Sequence, residues 1–389
     1  MAGNLEKTFL NVLRDFIFDS STTVFAELSA EDRQNICALS QKYKLQHLLA
    51  YYLGPKKLLP PEYCQEFLKI YHASVGRELR RDAGLRRMRQ LLQENNIDYI
   101  ALKGSFLAYF CYPNPALRPS SDIDILIRER DLTKMADVFH AAGWTDNDHQ
   151  EHSLHITALV SPDKRMLLEP HHTIFKAHNS AADNEKLWSM AVKGSGNEYF
   201  LPPEVVLLHL LDNALRDRLE FGLKPLADSA YLLSKQPVSV AKLQSTAQKL
   251  GITVEAGLLF SAFNDFFPEP YNHIAADAPA EVVAAFRNLT LHGSLKQLNS
   301  YELTLNREFK GSNWRQKIAF MAKGLVTHPD NLRIRYNLTG NYQWKLVYYY
   351  IVDILRKISI LWQLKERGTI DSTQIIANEQ RTLQNYLNK

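Results

Sequence analysis

Asp122 and Asp124, two aspartates one residue apart, are the pair in this chain best suited to chemistry. They open the run Asp122-Ile123-Asp124-Ile125-Leu126-Ile127, whose branched apolar residues predict a strand. Side chains alternate across a strand, so Asp122 and Asp124 project to one face and Ile123, Ile125 and Ile127 to the other. Neighbouring carboxylates repel each other. A hard divalent cation removes that cost, and Mg2+ takes one or two carboxylates together with phosphate oxygens. On the same reasoning, replacing either aspartate by asparagine should hold or raise stability. A DxD pattern alone more often marks a polar strand start, with Asp122 capping a turn.

The flanking residues add phosphate chemistry. Upstream, Ile97 to Leu102 reads as a strand ending in Lys103-Gly104-Ser105, which leads into a short helix, Phe106 to Cys111. Glycine lets the backbone approach a phosphate closely, and the first helical turn offers free N–H groups. Ser105 suits a phosphate hydrogen bond or a helix N-cap. Lys103 is either a point charge for a triphosphate or a solvated strand-end lysine. Arg118, in the Pro-rich loop Tyr112 to Ser121, brings a planar fork within reach of phosphate. Downstream, Leu167-Leu168-Glu169 places a third carboxylate on a strand expected beside the DxD strand, where it can complete a two-metal site or accept a proton. His171 shares the face of Glu169, where it can orient an acceptor or a metal-bound water, or simply bond to backbone. Pro170 lacks a ladder donor, which predicts an edge or bulged strand. His149, His152 and His155 have the spacing of one helix face, but Ser153 to Val160 reads as strand, which argues against zinc.

Gly104-Ser105, then Asp122-x-Asp124, then an acid on a later strand resembles the DNA polymerase β-type nucleotidyltransferase superfamily. More narrowly, the chain resembles a bacterial nucleotidyltransferase family with a long KG-to-DxD spacing. The matching residues are Leu102-Lys103-Gly104, Tyr112-Pro113, Leu117-Arg118-Pro119 and Ser121 to Ile127. Weaker marks follow at Glu169-x-His171, Pro203-Glu204 with Leu207 to Leu210, Leu226-Ala227-Asp228, and His328-Pro329 with Leu332 to Tyr336. The resemblance spans roughly residues 35–365. It implies Mg2+ (or Mn2+) on Asp122 and Asp124, with Glu169 as a further metal ligand or base. It also implies a nucleoside triphosphate such as ATP on the Gly104-Ser105 turn, with Lys103 and Arg118 in support. Sixteen residues separate Ser105 from Asp122, and this loop is expected to shape the acceptor pocket. The implied reaction moves a nucleoside monophosphate onto a hydroxyl of a small molecule, sugar or protein; a nucleic-acid acceptor is not favoured. The rival readings are a catalytically inactive nucleotide-binding or scaffold protein that keeps the fold, and a helical interaction protein with an incidental DxD. The last of these predicts no strand pairing across residues 97–174.

The elements that must position these residues read as an α+β chain. A small mixed-sheet nucleotidyltransferase core at 96–200 is flanked by helical regions at 1–95 and 201–389. Leu5, Phe9, Val12, Leu13 and Phe16 follow a helical period, and a long helix is expected from Pro61 to Asn95, with Val75, Leu79, Ala83, Met88, Leu91 and Leu92 on its apolar line. Its six arginines, Arg77 to Arg89, read as a solvated face making ion pairs, since no aromatics interleave with them as in a nucleic-acid groove. Asp131 to Ala142 should be a helix stopped by Gly143. Met166 to Ile174 and Ser153 to Val160 should be strands joined by a hairpin, and further helices are expected at Val205–Leu219, Leu226–Ser234, Val240–Leu250, Val254–Phe267 and Leu346–Glu366. A net charge of +4 is too weak to imply nucleic acid by itself, and three scattered cysteines suggest neither disulfides nor a metal knuckle. Asp353, Arg356 and Lys357 interrupt the most apolar late stretch, so no membrane span is expected, and the first residues lack the order of a secretion signal. A cytoplasmic setting is the expectation.

Overall fold

The computed structural model describes residues 2–120, 122–147, 157–175, 181–216, 222–236, 238–267, 278–292, 348–349 and 370–387. The chain forms two compact units, Met1–Asp217 with Phe221–Pro279, and Arg218–Glu220 with Ala280–Lys389. In the second, the helices Ala280–His292 and Ile370–Leu387 pack together, with Asn288 Nδ2 donating to Glu379 Oε1 at 2.7 Å. The sequence-predicted helix at 346–366, all but two of its residues, and the His328 to Tyr336 motif lie outside the described residues, as do His149, His152 and His155.

The first unit begins with helices α1 (Ala2–Phe18), α2 (Thr23–Ala26), α3 (Ala30–Lys42) and α4 (Gln46–Leu53), then the long α5 (Pro61–Glu94). The 3–4 residue spacing of Phe9, Val12, Leu13 and Phe16 buries one stripe of α1. Ser29 caps α3 by accepting from the Asp32 N–H, and Pro61 sits at the start of α5, where a missing N–H costs nothing. The buried face of α5 follows the expected line at Met88, Leu91 and Leu92 and departs from it earlier, where Leu79 is 68% exposed while Ser74, Arg81 and Leu85 are buried. At the departure Arg81 turns inward, with a two-point contact to Glu78 and its guanidinium over the Tyr109 ring. Arg89 likewise leaves the solvated face to pair with Glu198 at 3.1 Å. Gly84 faces Met166 so closely that a Cβ there would stand 1.3 Å from its sulfur.

The sheet follows: β1 (Tyr99–Ala101), α6 (Lys103–Phe110), β2 (Asp122–Ile127), α7 (Leu132–Ala141), β3 (Thr145–Asp146), β4 (Leu159–Val160), β5 (Leu167–His171), α8 (Ala181–Met190), β6 (Val192–Lys193) and β7 (Glu198–Phe200). Among the described residues, seven strands order as β3-β4-β5-β2-β1-β7-β6. The sheet is mixed: β2 runs parallel to β5 and antiparallel to β1, and β1 runs parallel to β7. This is the α+β class expected, and strand pairing across 99–171 removes the purely helical reading. Ile123, Ile125, Leu126 and Ile127 are all buried, so both faces of β2 are covered. β5 is an inner strand, not the edge expected from Pro170. Its pairing with β4 ends at Leu168, two residues before the proline, so the missing donor interrupts no ladder on that side. Helices α9 (Pro203–Arg216), α10 (Lys224–Lys235), α11 (Val240–Leu250) and α12 (Thr253–Phe266) complete the unit, α10 packing on α1, α6 and α9. Among the described residues, no helix is long and apolar enough to cross a membrane.

Most of the segment between Ser105 and Asp122 is core rather than open loop: Phe106, Leu107, Cys111, Tyr112, Ala116 and Leu117 are buried. Two side chains from the N-terminal helices hold it by its carbonyls. Ser74 Oγ donates to Ala116 O at 2.6 Å, and His47 Nε2 donates to Leu117 O at 2.9 Å. Burial, with Lys224 and Arg77 nearby, outweighs the hydrogen bond and pushes the His47 imidazole down from 6.5 to about 4. A base depressed in the folded state stays neutral while its unfolded counterpart takes a proton, so stability falls as pH drops from 6.5 to about 4. The expected loss is on the order of 3 kcal/mol. Urea unfolding across that range should show it, and His47→Gln should flatten the dependence in that window; an unchanged slope would remove His47 as its source.

Candidate active site

β2 and β5 set Asp124 opposite Glu169 and Leu126 opposite His171 in parallel register. Residues two apart on a strand share a face, so Glu169 and His171 project to the same side as Asp124. Ligand atoms of Asp124, Glu169 and His171 lie within 4.8 Å of one another. Asn184, buried in α8, clamps the far ends of these strands by donating to Ile127 O at 3.1 Å and His172 O at 2.6 Å.

Asp124 is 3% exposed. Its Oδ1 accepts from His171 Nε2 at 2.9 Å and from Lys103 Nζ at 3.1 Å. Burial alone would raise this carboxyl. The Lys103 ammonium and the hydrogen bonds from His171 and Lys103 outweigh burial and hold it far below the usual carboxylate range. The expectation that Asp124→Asn holds or raises stability is therefore corrected. What faces Asp124 is a cation and an imidazole donor, and a neutral amide would leave them under-compensated. Asp122 stands outside the 4.8 Å group, at the strand start opposite Leu167, where its Oδ1 accepts from Ser120 Oγ at 2.6 Å.

α6 starts at Lys103, earlier than the sequence suggests, with Leu102 as its N-cap residue. Ser105 therefore lies inside the first turn, and the N-cap role does not apply to it. Its N–H goes to Leu102 O, and its buried Oγ has no hydrogen-bond partner. Lys103 takes a φ of +34°, an uncommon conformation for a side-chain-bearing residue. Gly104 is required by a close approach: a Cβ there would stand 2.5 Å from Arg118 Nη1 and 2.9 Å from Ser120 Oγ.

Arg118 is buried and already engaged. Its Nε donates to Asp228 Oδ1 at 3.1 Å and its Nη2 to Asp228 Oδ2 at 2.9 Å, while Nη1 reaches Ser120 Oγ at 3.4 Å. Tyr112 donates to the same carboxylate at 2.7 Å. Lys224, in the first turn of α10, donates to Pro119 O at 3.2 Å. Burial foremost and then Arg118 push its ammonium down to about 8, against the pull of Asp228, Asp122 and Asp124. Asp228 and Lys224 escape a reading of the sequence as site residues. Leu226-Ala227-Asp228 stands out as a motif, but its partner Arg118 is 110 positions away, and nothing local marks Lys224.

A model of the protein family described as uncharacterised nucleotidyltransferase matches residues 29–268. No curated protein and no solved structure matches the chain significantly.

A buried ion pair is costly to break on one side, because the surviving charge is left without compensation. Asp228→Ala should cost about 3–5 kcal/mol in chemical denaturation, and Arg118→Met a comparable amount. The double variant should lose clearly less than the sum of the two. Additive losses would mean that the two groups contribute separately.

Proposed function

The chain belongs to the uncharacterised nucleotidyltransferase family, and on that premise we propose that it transfers a nucleoside monophosphate from a nucleoside triphosphate to an acceptor hydroxyl. We place it with the DNA polymerase β-type nucleotidyltransferases, on the DxD strand and the Gly104-Ser105 turn that precedes it. The observation that carries the reading is the gathering of Asp124, Glu169 and His171 ligand atoms within 4.8 Å, on neighbouring strands.

Two carboxylate oxygens and an imidazole nitrogen are a donor set that suits a divalent cation, Mg2+ or Mn2+, the imidazole being the softer partner. Asp124 and Glu169 would hold the ion, with Asp122 offering a second aspartate from the strand start. When bound, such an ion neutralises triphosphate charge and sharpens the attacking hydroxyl. A cation held by Asp124 would share its carboxylate with Lys103, and the lysine could then turn to a phosphate. The orphaned Ser105 hydroxyl supplies a donor one residue past Gly104. In the transfer, the acceptor oxygen bonds to the α-phosphorus and the α–β bridging P–O bond breaks. Pyrophosphate leaves with that bond's electrons, and Glu169 takes the hydroxyl proton. His171 orients Asp124 through its Nε2 hydrogen bond.

The test supplies each of the four common NTPs with Mg2+ or Mn2+ and an acceptor pool, and measures pyrophosphate release. Asp124→Asn and Glu169→Gln should each lower the rate about 100-fold or more, because charge positioning supplies most of the acceleration in such transfers. ATP or another NTP should raise the melting temperature only when the metal is present. Equal stabilisation in EDTA would remove the metal from the reading. Metal-dependent binding with no pyrophosphate release from any NTP would mark a protein that kept the fold without turnover.

A further inference from the structure

We infer that Lys224 is an anion-binding residue of this site: its ammonium holds the β- and γ-phosphates of a metal-bound triphosphate and, after transfer, the departing pyrophosphate. This inference deepens the proposed nucleotidyl transfer and rests on it.

The argument begins with the local charges. Three cations surround the loop that enters β2. Arg118 is committed at two points to Asp228, and Lys103 is committed to Asp124. Lys224 is part-buried, and its hydrogen bond goes to a neutral carbonyl, Pro119 O at 3.2 Å; among the described residues it makes no salt bridge.

Three separate features make that position unfavourable for a cation. Burial removes water from the ammonium, and the Arg118 guanidinium repels it. Lys224 also stands in the first turn of the twelve-residue α10, at the positive end of the helix dipole. The Arg118 charge and the helix N-terminus favour an anion where they disfavour the lysine, and pairing with an anion would offset the cost of burying the ammonium. Asp228, Asp122 and Asp124 offset part of these costs, and a phosphate on the ammonium would offset more.

The acids of the site narrow the anion further. Asp122 and Asp124 lie close enough to bias the Lys224 proton, and Glu169 lies beside Asp124. A bare phosphate arriving here meets those carboxylates. A polyphosphate carrying its own divalent cation satisfies both halves, the acids taking the metal and Lys224 the phosphate oxygens. The buried Ser105 hydroxyl, without a partner in the first turn of α6, is a second donor awaiting an acceptor. The adjoining loop ties these parts together, since Pro119 receives Lys224 and Ser120 donates to Asp122.

The test is titration calorimetry on the full chain with Mg2+–ATP and with Mg2+–pyrophosphate, comparing wild type, Lys224→Met and Lys224→Arg. Lys224→Met should weaken both ligands about 10- to 100-fold, the worth of one charge-assisted contact. Lys224→Arg should keep most of the affinity. Lys224→Met exchanges a desolvated ammonium, held by one carbonyl bond, for an apolar side chain, so its melting temperature without ligand should match that of wild type. Wild-type affinity in Lys224→Met would overturn the inference and leave nucleotidyl transfer standing. A Lys224→Met protein that melts early or fails to fold would make Lys224 a structural residue and also overturn it. A wild type that binds neither ligand would take down the functional reading and this inference together.

Discussion

The buried pair of Arg118 and Asp228 is the interaction on which the arrangement of the site depends. Taking both charges out of water is expensive, and the two-point geometry with the Tyr112 hydroxyl on the same carboxylate offsets that cost. The return is placement more than stability. The guanidinium fills the space above Gly104 that any side chain there would occupy, and so fixes the turn that carries Lys103 and Ser105. Its remaining nitrogen steadies Ser120, which holds Asp122. The same pair attaches α10, and with it Lys224, to the loop that leads into the strand carrying both aspartates.

Asp124 illustrates how a buried carboxylate can be stable before any ligand arrives. Mutual repulsion between Asp122 and Asp124 is the natural expectation from their spacing, but each carboxylate has its own donors. Asp124 has Lys103 and His171, and Asp122 has Ser120. Asp124 is therefore compensated without an ion, by a cation and an imidazole donor. An incoming cation would share the Asp124 carboxylate with an ammonium, which favours arrival together with a phosphate able to receive the lysine.

Much of this architecture can be read from the residues. β2 spans Asp122–Ile127, the bounds its branched residues suggest, and α11 likewise matches its apolar period. Asp124, Glu169 and His171 are visible as an acid, an acid and a histidine on two strands, and those three are the side chains whose ligand atoms gather. Other features leave no such trace. β3, β6 and β7 have two or three residues each, too short for alternation to register. The inward turn of Arg81, where the buried face of α5 departs from Leu79, involves Glu78 and Tyr109 at once. Pro170 suggests an edge because proline lacks a donor, yet β5 is interior, since the neighbouring strand stops short of it. Pairings such as Arg118 with Asp228 are properties of the folded chain, and no local pattern encodes them.

The two outermost strands of the sheet carry a consequence for assembly. β3 and β6 have two residues each, all four exposed, and Asp146 and Lys193 place a charge on each. A strand from another molecule needs a longer row of unpaired backbone groups to extend a sheet by hydrogen bonding, and it avoids burying a charge in doing so. Among the described residues the sheet ends in such stubs, which offer little template for growth. The described borders of the sheet thus guard against edge-to-edge polymerisation by their shortness and their charges.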